Sequence, residues 1–258
     1  MDVFRRALVR PPPANFADGL TTVDLGVPDV ERALAEFELY CEALERCGLA
    51  LTRLDADPLF PDSTFVEDTA VLTSRGAVLT RPGAPSRAGE VAAIEQALAP
   101  FFASPARIEA PGTVDGGDIC EAGGHFFIGI SRRTNAEGAR QLAAHLARMG
   151  FTSAEVDILG VPGILHLKSG IAAVSARRLV LIDALADHPA FRSYERIAID
   201  PSENYAANCV RVNDALLVAT GYPKFEPTAR ALDLEVIALD MSEFAKMDGG
   251  LSCLSLRF

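Results

Sequence analysis

Several short segments of the chain carry residue types that could act together on a cationic substrate. They contain a cysteine, a histidine, carboxylates and two arginine loops: Pro61–Thr69 (PDSTFVEDT), Arg81–Arg87 (RPGAPSR), Thr113–Asp118 (TVDGGD), Ser131–Asn135 (SRRTN), His166–Gly170 (HLKSG) and Met247–Cys253 (MDGGLSC). Each segment alone also fits an ordinary turn or a structural strand. Taken together, they predict a thiol nucleophile that acts on an amino acid with a cationic tail.

Cys253 is the best candidate for a reactive thiol among the five cysteines of the chain. It follows an Asp-Gly-Gly turn in a polar run, whereas the surroundings of Cys120 and Cys209 are apolar. A polar setting favours the reactive thiolate, and an apolar one suppresses it. Cys41 and Cys47 fall in a predicted helix, where free cysteines act as small buried hydrophobic residues.

The remaining segments supply groups that would bind and protonate such a substrate. His166 has an ordinary pKa near neutrality, which suits it to carry a proton. Carboxylates such as Glu67 and Asp68 can share charge-assisted hydrogen bonds with a cation. If a strand runs from Phe65 onward, these two side chains point to opposite faces. The paired glycines after Asp115 let the backbone approach closely and hold a carboxylate in place, and an arginine fork in a loop grips a carboxylate.

These segments recur within a repeated unit of strand, turn, strand, helix and strand. The units start near Glu67, Asp118, Lys168, Asn208 and Cys253, at intervals of 40 to 51 residues. Repeats of this length are typical of propellers and arrays, and one unit is too small to bury its own apolar face. Five units around an axis would share a core, although strand–helix alternation alone also fits an open α/β sheet.

The apolar pattern predicts the bounds of these elements. Strands are predicted at Arg6–Arg10, Phe65–Leu72, Ala77–Thr80, Asp118–Cys120, His125–Gly129, His166–Val174, Arg178–Ile182, Asn208–Val212, Ala215–Ala219 and Ser252–Phe258, and helices at Val30–Cys47, Gly89–Leu98, Ala136–Met149 and Glu226–Leu232. The polar stretch Asn15–Thr22, which contains Gly19, is predicted to be a loop.

Composition and charge disfavour several other classes of protein. The formal net charge of −11 argues against nucleic-acid binding, which needs a basic surface, and suits a cationic small molecule. No apolar run approaches the ~20 residues that span a bilayer. The charged start, Met1–Arg10, predicts a cytoplasmic protein without a secretory signal. The odd cysteine count argues against a disulfide framework, the histidine spacing against a local metal site, and glycine-rich nucleotide motifs are absent.

The order of the motifs resembles that of the dimethylarginine dimethylaminohydrolase family, within the guanidino-group-modifying superfamily. The segments that carry the resemblance are FVEDT, RPGAPSR, DGGD, SRRTN, HLKSG, AANC and DGGLSC, which run from residue 65 to residue 253. The resemblance implies a five-bladed α/β propeller, with residues 1–258 as a single catalytic domain. It also implies hydrolysis of methylated arginines to citrulline and dimethylamine or methylamine. The reaction would need no metal or cofactor, and the protein could form a homodimer.

The resemblance also assigns roles to individual residues. Cys253 would be the nucleophile, and His166 the proton donor and then the general base. Asp115 would orient the imidazole, at a position where some members carry glutamate. The substrate-binding positions would be Asp68 on the guanidinium, Arg87 and Arg133 on the α-carboxylate, Asp62, Glu67, Met247 and Asp248 lining the pocket, and Leu20 in a lid loop.

Other members of this superfamily share the cysteine–histidine chemistry, and Lys168 distinguishes the chain from the nearest of them. In arginine deiminases, an aspartate two residues after the histidine grips the unmethylated guanidinium; here that position is Lys168. The loss of that carboxylate favours methylated substrates. The two arginine loops argue against agmatine, which lacks a carboxylate, and amidinotransferases are usually longer. A non-catalytic amino-acid-binding protein is the alternative of another class, but it has no need of Cys253.

Overall fold

The structure, a computed structural model, describes residues 3–258 as five three-stranded sheets and six α-helices. The strands are β1 (Arg6–Val9), β2 (Ala50–Arg53), β3 (Ala70–Thr73), β4 (Gly76–Leu79), β5 (Ala106–Arg107), β6 (Ile119–Ala122), β7 (His125–Ile130), β8 (Thr152–Asp157), β9 (Ile171–Ser175), β10 (Arg178–Ile182), β11 (Glu195–Ile199), β12 (Val210–Val212), β13 (Ala215–Ala219), β14 (Glu235–Leu239) and β15 (Ser255–Arg257). The helices are α1 (Val30–Arg46), α2 (Glu90–Leu98), α3 (Ala136–Arg148), α4 (Asp183–Ala186), α5 (Glu226–Arg230) and α6 (Ser242–Ala245).

The five sheets share one topology, which is the predicted unit of strand, turn, strand, helix and strand. In the sheet of β3, β4 and β5, the first two strands form an antiparallel hairpin, and the third pairs in parallel with the second. A helix joins the second strand to the third, because a parallel connection needs a crossover. The same order recurs for β6–β8, β9–β11 and β12–β14.

The fifth sheet joins the two ends of the described chain. Strand β15 pairs antiparallel with β1, with Ala7 opposite Arg257, and β1 pairs in parallel with β2. The last strand therefore takes the place that the first strand holds in the other four sheets. Because β15 lies two residues after Cys253, this pairing fixes the position of the cysteine relative to the N-terminal strand.

Buried side chains of the middle strands pack across the boundaries between the sheets. The largest apolar cluster contains Phe127 of β7, Leu181 of β10 and Leu216 of β13. A second cluster joins Val9 of β1 to Leu217 of β13. No unit covers its own apolar face, so neighbouring units stabilise one another as in other repeat folds.

Helix α1 shows how closely local signals set an element. The carboxylate of Asp29 accepts hydrogen bonds from the backbone N–H groups of Glu31 (3.0 Å) and Arg32 (3.1 Å), as an N-cap does. Gly48, with φ +88°, follows the end of the helix. The predicted helix Val30–Cys47 is confirmed to within one residue. Its Cys41 is buried as predicted, whereas Cys47 at the C-cap is only half-buried.

Five predicted strands, those that start each repeat, begin later than the sequence pattern suggests. The motif residues lie in short 3-10 turns, Val66–Thr69, Gly116–Asp118 and Leu167–Ser169, each of which precedes a strand. Cys253 lies in a turn ahead of β15. The prediction that Glu67 and Asp68 alternate across a strand is therefore wrong, because consecutive side chains in a 3-10 turn point about 120° apart.

None of the helices in residues 3–258 has the length and apolar character needed to traverse a bilayer.

Candidate active site

The candidate catalytic residues occupy equivalent places in the repeat. In each unit they lie in the turn just before the first strand: Asp68 before β3, Asp115 and Asp118 before β6, His166 before β9, Asn208 before β12 and Cys253 before β15. Equivalent ends of the five sheets lie around the same end of the axis, so the repeat itself brings these side chains together. Residues that are up to 185 apart in the chain, such as Glu67 and Ser252, are in contact there.

His166 lies among carboxylates. Its Nε2 is 3.0 Å from Oδ2 of Asp115 and 4.0 Å from Oδ1 of Asp68. Burial lowers the pKa of His166, but the charge of Asp68, the hydrogen bond to Asp115 and the charge of Asp118 outweigh it and raise the pKa to about 9. The side chain is therefore an imidazolium at neutral pH, ready to donate a proton, and Asp115 fixes its orientation.

The glycines between Asp115 and Asp118 are required by close approach. A Cβ on Gly116 would lie 2.0 Å from the carbonyl oxygen of Glu67. The backbone N–H of Gly117 donates to Oδ1 of Asp68 over 2.9 Å. Neither glycine is among those with positive φ in residues 3–258. The predicted use of the pair, to bring the backbone close and hold a carboxylate, is confirmed.

Asp68 is held by a buried arginine rather than by solvent. Nη1 of Arg87 lies 2.5 Å from Oδ2 of Asp68, while Nε and Nη2 of Arg87 donate to the carboxylate of Glu90 at 2.9 and 2.8 Å. Burial raises the pKa of Asp68, but the charges of His166 and Arg87 and the hydrogen bonds from Arg87 and Gly117 lower it to about 2. Asp68 is thus an anion that can receive a guanidinium.

The contacts of Arg87 differ from those expected for a grip on an α-carboxylate. Its guanidinium is 5% exposed and bonds Asp68, Glu90 and the carbonyl oxygen of Phe65. We therefore propose that Arg87 positions Asp68 and leaves the α-carboxylate to Arg133. The guanidinium of Arg133 is half-buried and forms no ion pair with any residue in 3–258.

The two arginine loops lie against each other. A Cβ on Gly83 would come within 2.2 Å of the carbonyl oxygen of Arg133. Burial raises the pKa of Asp62, and the charges of Arg87 and Arg133 oppose that shift, so both arginines lie near this carboxyl group. The geometry therefore brings a free guanidinium beside the expected substrate pocket.

Glu67 forms an ion pair across the repeat with Lys168. Its Oε1 is 2.5 Å from Nζ of Lys168, and its Oε2 accepts a hydrogen bond from Oγ of Ser252 at 2.8 Å. A carboxylate at position 168 would face Glu67 and repel it. A cavity of about 310 Å³ is lined in part by Glu67, Lys168 and Ser252, but not by Cys253 or His166.

Cys253 is half-buried in a turn held from both sides. Its backbone N–H donates to the carbonyl oxygen of Gly250 (3.1 Å), and its carbonyl oxygen accepts from the N–H of Glu67 (3.2 Å). Burial and the negative charges of Glu67 and Asp68 raise the pKa of the thiol to about 12. Cys253 is therefore held as a neutral thiol, rather than as the thiolate that its polar sequence neighbours favoured.

The segment of the expected lid residue, Leu20, contacts two of the expected pocket residues, Asp62 and Asp248. The backbone N–H of Leu20, an exposed residue, donates to Oδ1 of Asp62 at 3.0 Å. Oδ1 of Asp248 accepts from the hydroxyl of Thr22 at 3.0 Å, and its Oδ2 accepts from the backbone N–H of Thr22. Asp248 has φ +57°, while its neighbour Met247 is buried. The segments around Leu20, Asp62 and Asp248 thus come together as expected.

The family is decided by similarity along the whole chain. No protein-family model matches it. The N(G),N(G)-dimethylarginine dimethylaminohydrolase of Pseudomonas aeruginosa is 43% identical over 257 residues, which cover 99% of this chain and 100% of the relative. The protein of the same name from Streptomyces coelicolor is 36% identical, over 98% of this chain and 96% of its own. The chain belongs to the dimethylarginine dimethylaminohydrolase family.

Solved structures of this family share the fold. The P. aeruginosa enzyme, as a cysteine-to-serine variant complexed with citrulline, has a TM-score of 0.96 and 43% identity and covers 100% of both chains. A histidine-to-glycine dimethylarginine dimethylaminohydrolase, as an adduct with S-methyl-L-thiocitrulline, has a TM-score of 0.95, covering 99% of this chain and 100% of that one. The five-bladed α/β propeller that the resemblance implied is confirmed.

Some residues of the site were not predicted from the sequence. Asp118 accepts hydrogen bonds from Oγ of Ser131 (2.6 Å) and the N–H of Leu167 (3.0 Å), and so joins the arginine loop to the histidine motif. Glu90, next to Arg87 in space, was also missed. Its spacing of three residues from Arg87 was a usable signal, because residues three apart can pair on a helical turn.

Three side chains of types that can bind a metal ion lie close together: Asp68, Asp115 and His166. Single oxygen or nitrogen atoms of Asp68, Asp115 and His166 lie within 4.8 Å of one another. A metal needs a neutral imidazole, whereas the pKa of His166 is raised to about 9, and Asp68 is already paired with Arg87. These three residues therefore fit a site in which His166 donates a proton better than a site that binds a metal ion.

We expect the stability of the protein to fall as the pH rises above about 6.5, because His166 keeps its proton in the fold. Its pKa is about 9 in the fold against 6.5 for an ordinary histidine, so its contribution is complete below 6.5 and is lost as the pH rises through 9. A contribution of about 1–3 kcal/mol is expected. Urea unfolding at several pH values between 6 and 8.5 measures it.

The matched variants for this test are His166→Asn and His145→Asn. The first should flatten the pH dependence of the free energy of unfolding, and the second, on α3, should keep the slope of the wild type. Equal slopes for His166→Asn and the wild type would show that the carboxylates do not hold a proton on His166.

Proposed function

We propose that the protein hydrolyses N-omega-methylated arginines, namely asymmetric dimethylarginine and monomethylarginine, to citrulline and dimethylamine or methylamine. The observation that carries the proposal is the buried array of Asp68, His166 and Asp115 beside Cys253. The citrulline and S-methyl-L-thiocitrulline bound by the related enzymes support it, since both share the backbone of the proposed product.

Substrate binding uses charges that the fold has already placed. The guanidinium is received by Asp68, whose carboxylate is kept ionised by Arg87, with Glu67 nearby. The α-carboxylate is bound by Arg133, and the segment around Leu20 covers the mouth. A guanidinium carbon is poorly electrophilic because its charge is delocalised. Fixing it beside the sulfur is therefore the main contribution of binding.

The bound cation also prepares the nucleophile. The pKa of the Cys253 thiol is raised to about 12 partly by Glu67 and Asp68, and a guanidinium between these carboxylates offsets their negative charge. The thiol then releases its proton to solvent water more readily, and the thiolate attacks the guanidinium carbon. His166 gives its proton to the departing dimethylamine or methylamine, which leaves a covalent thiouronium on Cys253.

Hydrolysis of this intermediate reverses the role of the histidine. The neutral imidazole takes a proton from water, the water oxygen bonds the thiouronium carbon, and the carbon–sulfur bond breaks to give citrulline. Asp115 orients the ring in both halves through its 3.0 Å contact. Side chains of this chain thus carry the proton transfers to the amine and from the water.

An assay of citrulline formation from four substrates tests this function. We expect kcat/KM for asymmetric dimethylarginine and monomethylarginine to exceed that for arginine by roughly 5- to 150-fold, because no carboxylate at position 168 receives an unsubstituted NH2. Agmatine should react least, since it offers Arg133 no carboxylate. Preference for arginine would instead identify an arginine deiminase.

The proposal also covers the cellular location, the domain organisation and the oligomeric state of the protein. We propose that residues 1–258 act as one catalytic domain in the cytoplasm, since the site draws on turns from every part of the chain and all five cysteines are free. The small-molecule substrate needs no nucleic acid or membrane. A homodimer is proposed from the family resemblance alone, and sedimentation equilibrium of the purified protein tests it.

A further inference from the structure

Asn208 lies between the turn that carries His166 and the turn that carries Cys253. Its Nδ2 donates to the carbonyl oxygen of Lys168 at 2.9 Å and to Oγ of Ser252 at 3.1 Å. Its Oδ1 accepts the backbone N–H of Ser252 at 3.0 Å. One amide group therefore bonds the third repeat and the fifth repeat at once, from its place at the start of the fourth.

The fit around this amide is close. Asn208 is 7% exposed, and a Cβ on Gly250 would lie 2.6 Å from its Oδ1. Glycine at position 250 is thus what allows the turn of Cys253 to approach the amide. The orientation of this buried amide is fixed, because any other orientation would break a hydrogen bond and leave a buried polar group without a partner.

The two residues that Asn208 bonds, Ser252 and Lys168, themselves contact groups of the active site. Oγ of Ser252 donates to Oε2 of Glu67 at 2.8 Å and lies 3.9 Å from Sγ of Cys253. The side chain of Lys168, whose carbonyl oxygen Asn208 holds, pairs with the same carboxylate of Glu67. Asn208 therefore acts on the nucleophile and on a substrate-pocket carboxylate without contacting the substrate itself.

We propose that Asn208 is a positioning residue that fixes the turn of Cys253 against the turn of His166 and so sets the distance over which sulfur meets the guanidinium carbon. The inference rests on the proposed function, because it assumes that Cys253 is the nucleophile. A displacement of about 1 Å at a reacting atom can cost roughly 100-fold in rate. The groups assigned to substrate binding, Asp68 and Arg133, lie on other loops, so binding should be affected much less.

The test compares Asn208→Asp and Asn208→Ala with the wild type, using asymmetric dimethylarginine. Aspartate has the same shape and keeps the acceptor for the Ser252 N–H, but it cannot donate to Lys168 or to Oγ of Ser252. Alanine removes all three bonds. We expect kcat to fall by about 10- to 100-fold in both variants, with KM changed by less than about threefold.

A second readout reports the thiol directly and does not need turnover. In Asn208→Ala, Cys253 is free to move away from the carboxylates that raise its pKa. Its alkylation by neutral iodoacetamide at pH 7.5, located by mass spectrometry, should therefore become at least about threefold faster. Loss of folded protein would also speed the alkylation of Cys120 and Cys209, which are buried in the apolar core. Faster alkylation confined to Cys253, together with a lower kcat, therefore distinguishes a displaced turn from unfolding.

Asn213 provides the matched control because it makes the same kind of cross-link elsewhere. Its Nδ2 donates to the carbonyl oxygens of Phe4 (3.0 Å) and Cys47 (2.8 Å), and its Oδ1 accepts the N–H of Phe4 (2.8 Å). Asn213→Asp should lower the melting temperature but leave kcat and the alkylation rate of Cys253 unchanged.

The outcomes separate this inference from the proposed function. Folded Asn208 variants with wild-type kcat would overturn the role of Asn208, and so would a rise in KM alone or an unchanged alkylation rate in Asn208→Ala. A wild-type protein that releases no citrulline from any methylarginine would overturn the proposed function instead, and the alkylation rates would still test Asn208. If Asn208→Ala fails to fold, kcat of the isosteric Asn208→Asp decides.

Discussion

Cys253→Ser is expected to abolish the release of citrulline from methylated arginines while the fold is kept. The hydroxyl of serine is a far weaker nucleophile than a thiolate at neutral pH, and no base is placed to activate it, because His166 is already protonated in the free site. Loss of a nucleophile typically costs more than about 10³-fold in kcat. Single-turnover and steady-state citrulline assays measure the loss.

Two of the remaining cysteines serve as matched controls, because both are buried in the apolar core. Cys120 and Cys209 are packed in the largest apolar cluster, and burial raises the pKa of each thiol to about 12. Serine at either position should lower the free energy of unfolding by about 1–3 kcal/mol but leave kcat unchanged. Citrulline production by Cys253→Ser above a few per cent of the wild-type rate would contradict the assignment of the nucleophile.

The repeat was visible in the sequence because each unit carries the same signals in the same order. The strands Ala215–Ala219 and Arg178–Ile182 have the bounds that their apolar runs predicted. The third strands were expected without bounds, because they are largely exposed strands, such as β8 (Thr152–Asp157) and β11 (Glu195–Ile199), and lack a continuous apolar pattern. Local pattern thus predicts buried strands well and exposed edge strands poorly.

The turns that carry the chemistry were predicted less accurately than the sheets behind them. Val66–Thr69 and Leu167–Ser169 each begin with a buried apolar residue and lead into an apolar strand, so the sequence pattern extended the strands through them. The backbone there is set by long-range contacts, such as the N–H of Glu67 on the carbonyl oxygen of Cys253. A pattern of neighbours in sequence does not contain that information.

The ion-pair partners of charged residues could not be predicted from the sequence either. The sequence marked Arg87 as a binding residue by its type and loop, but its use depends on the burial of Glu90 and Asp68 around it. Lys168 was noticed because it replaces an aspartate of related enzymes, whereas its contact with Glu67 spans 101 positions. Residue types predicted which groups belong to the site, and the fold determined which of them pair.

His166→Gly is expected to lower kcat for asymmetric dimethylarginine by about 100- to 10,000-fold, with a much smaller change in KM. The guanidinium and the α-carboxylate are still bound by Asp68 and Arg133, so affinity persists. Dimethylamine leaves poorly without a proton, and this variant has lost the imidazolium whose pKa is raised to about 9. Steady-state kinetics that determine kcat and KM separately should show a large fall in kcat and little change in KM.

S-methyl-L-thiocitrulline separates the two proton transfers in the same variant. Its leaving group departs as methanethiolate and needs no proton from His166, so the sulfur of Cys253 can still form the covalent bond. Hydrolysis then lacks its general base, and the adduct should accumulate on Cys253, as an adduct of this compound exists for a histidine-to-glycine relative. Intact-protein mass spectrometry should show this adduct in His166→Gly and none in Cys253→Ser. Rapid dimethylamine release by His166→Gly, or an adduct on another residue, would assign the proton to a different group.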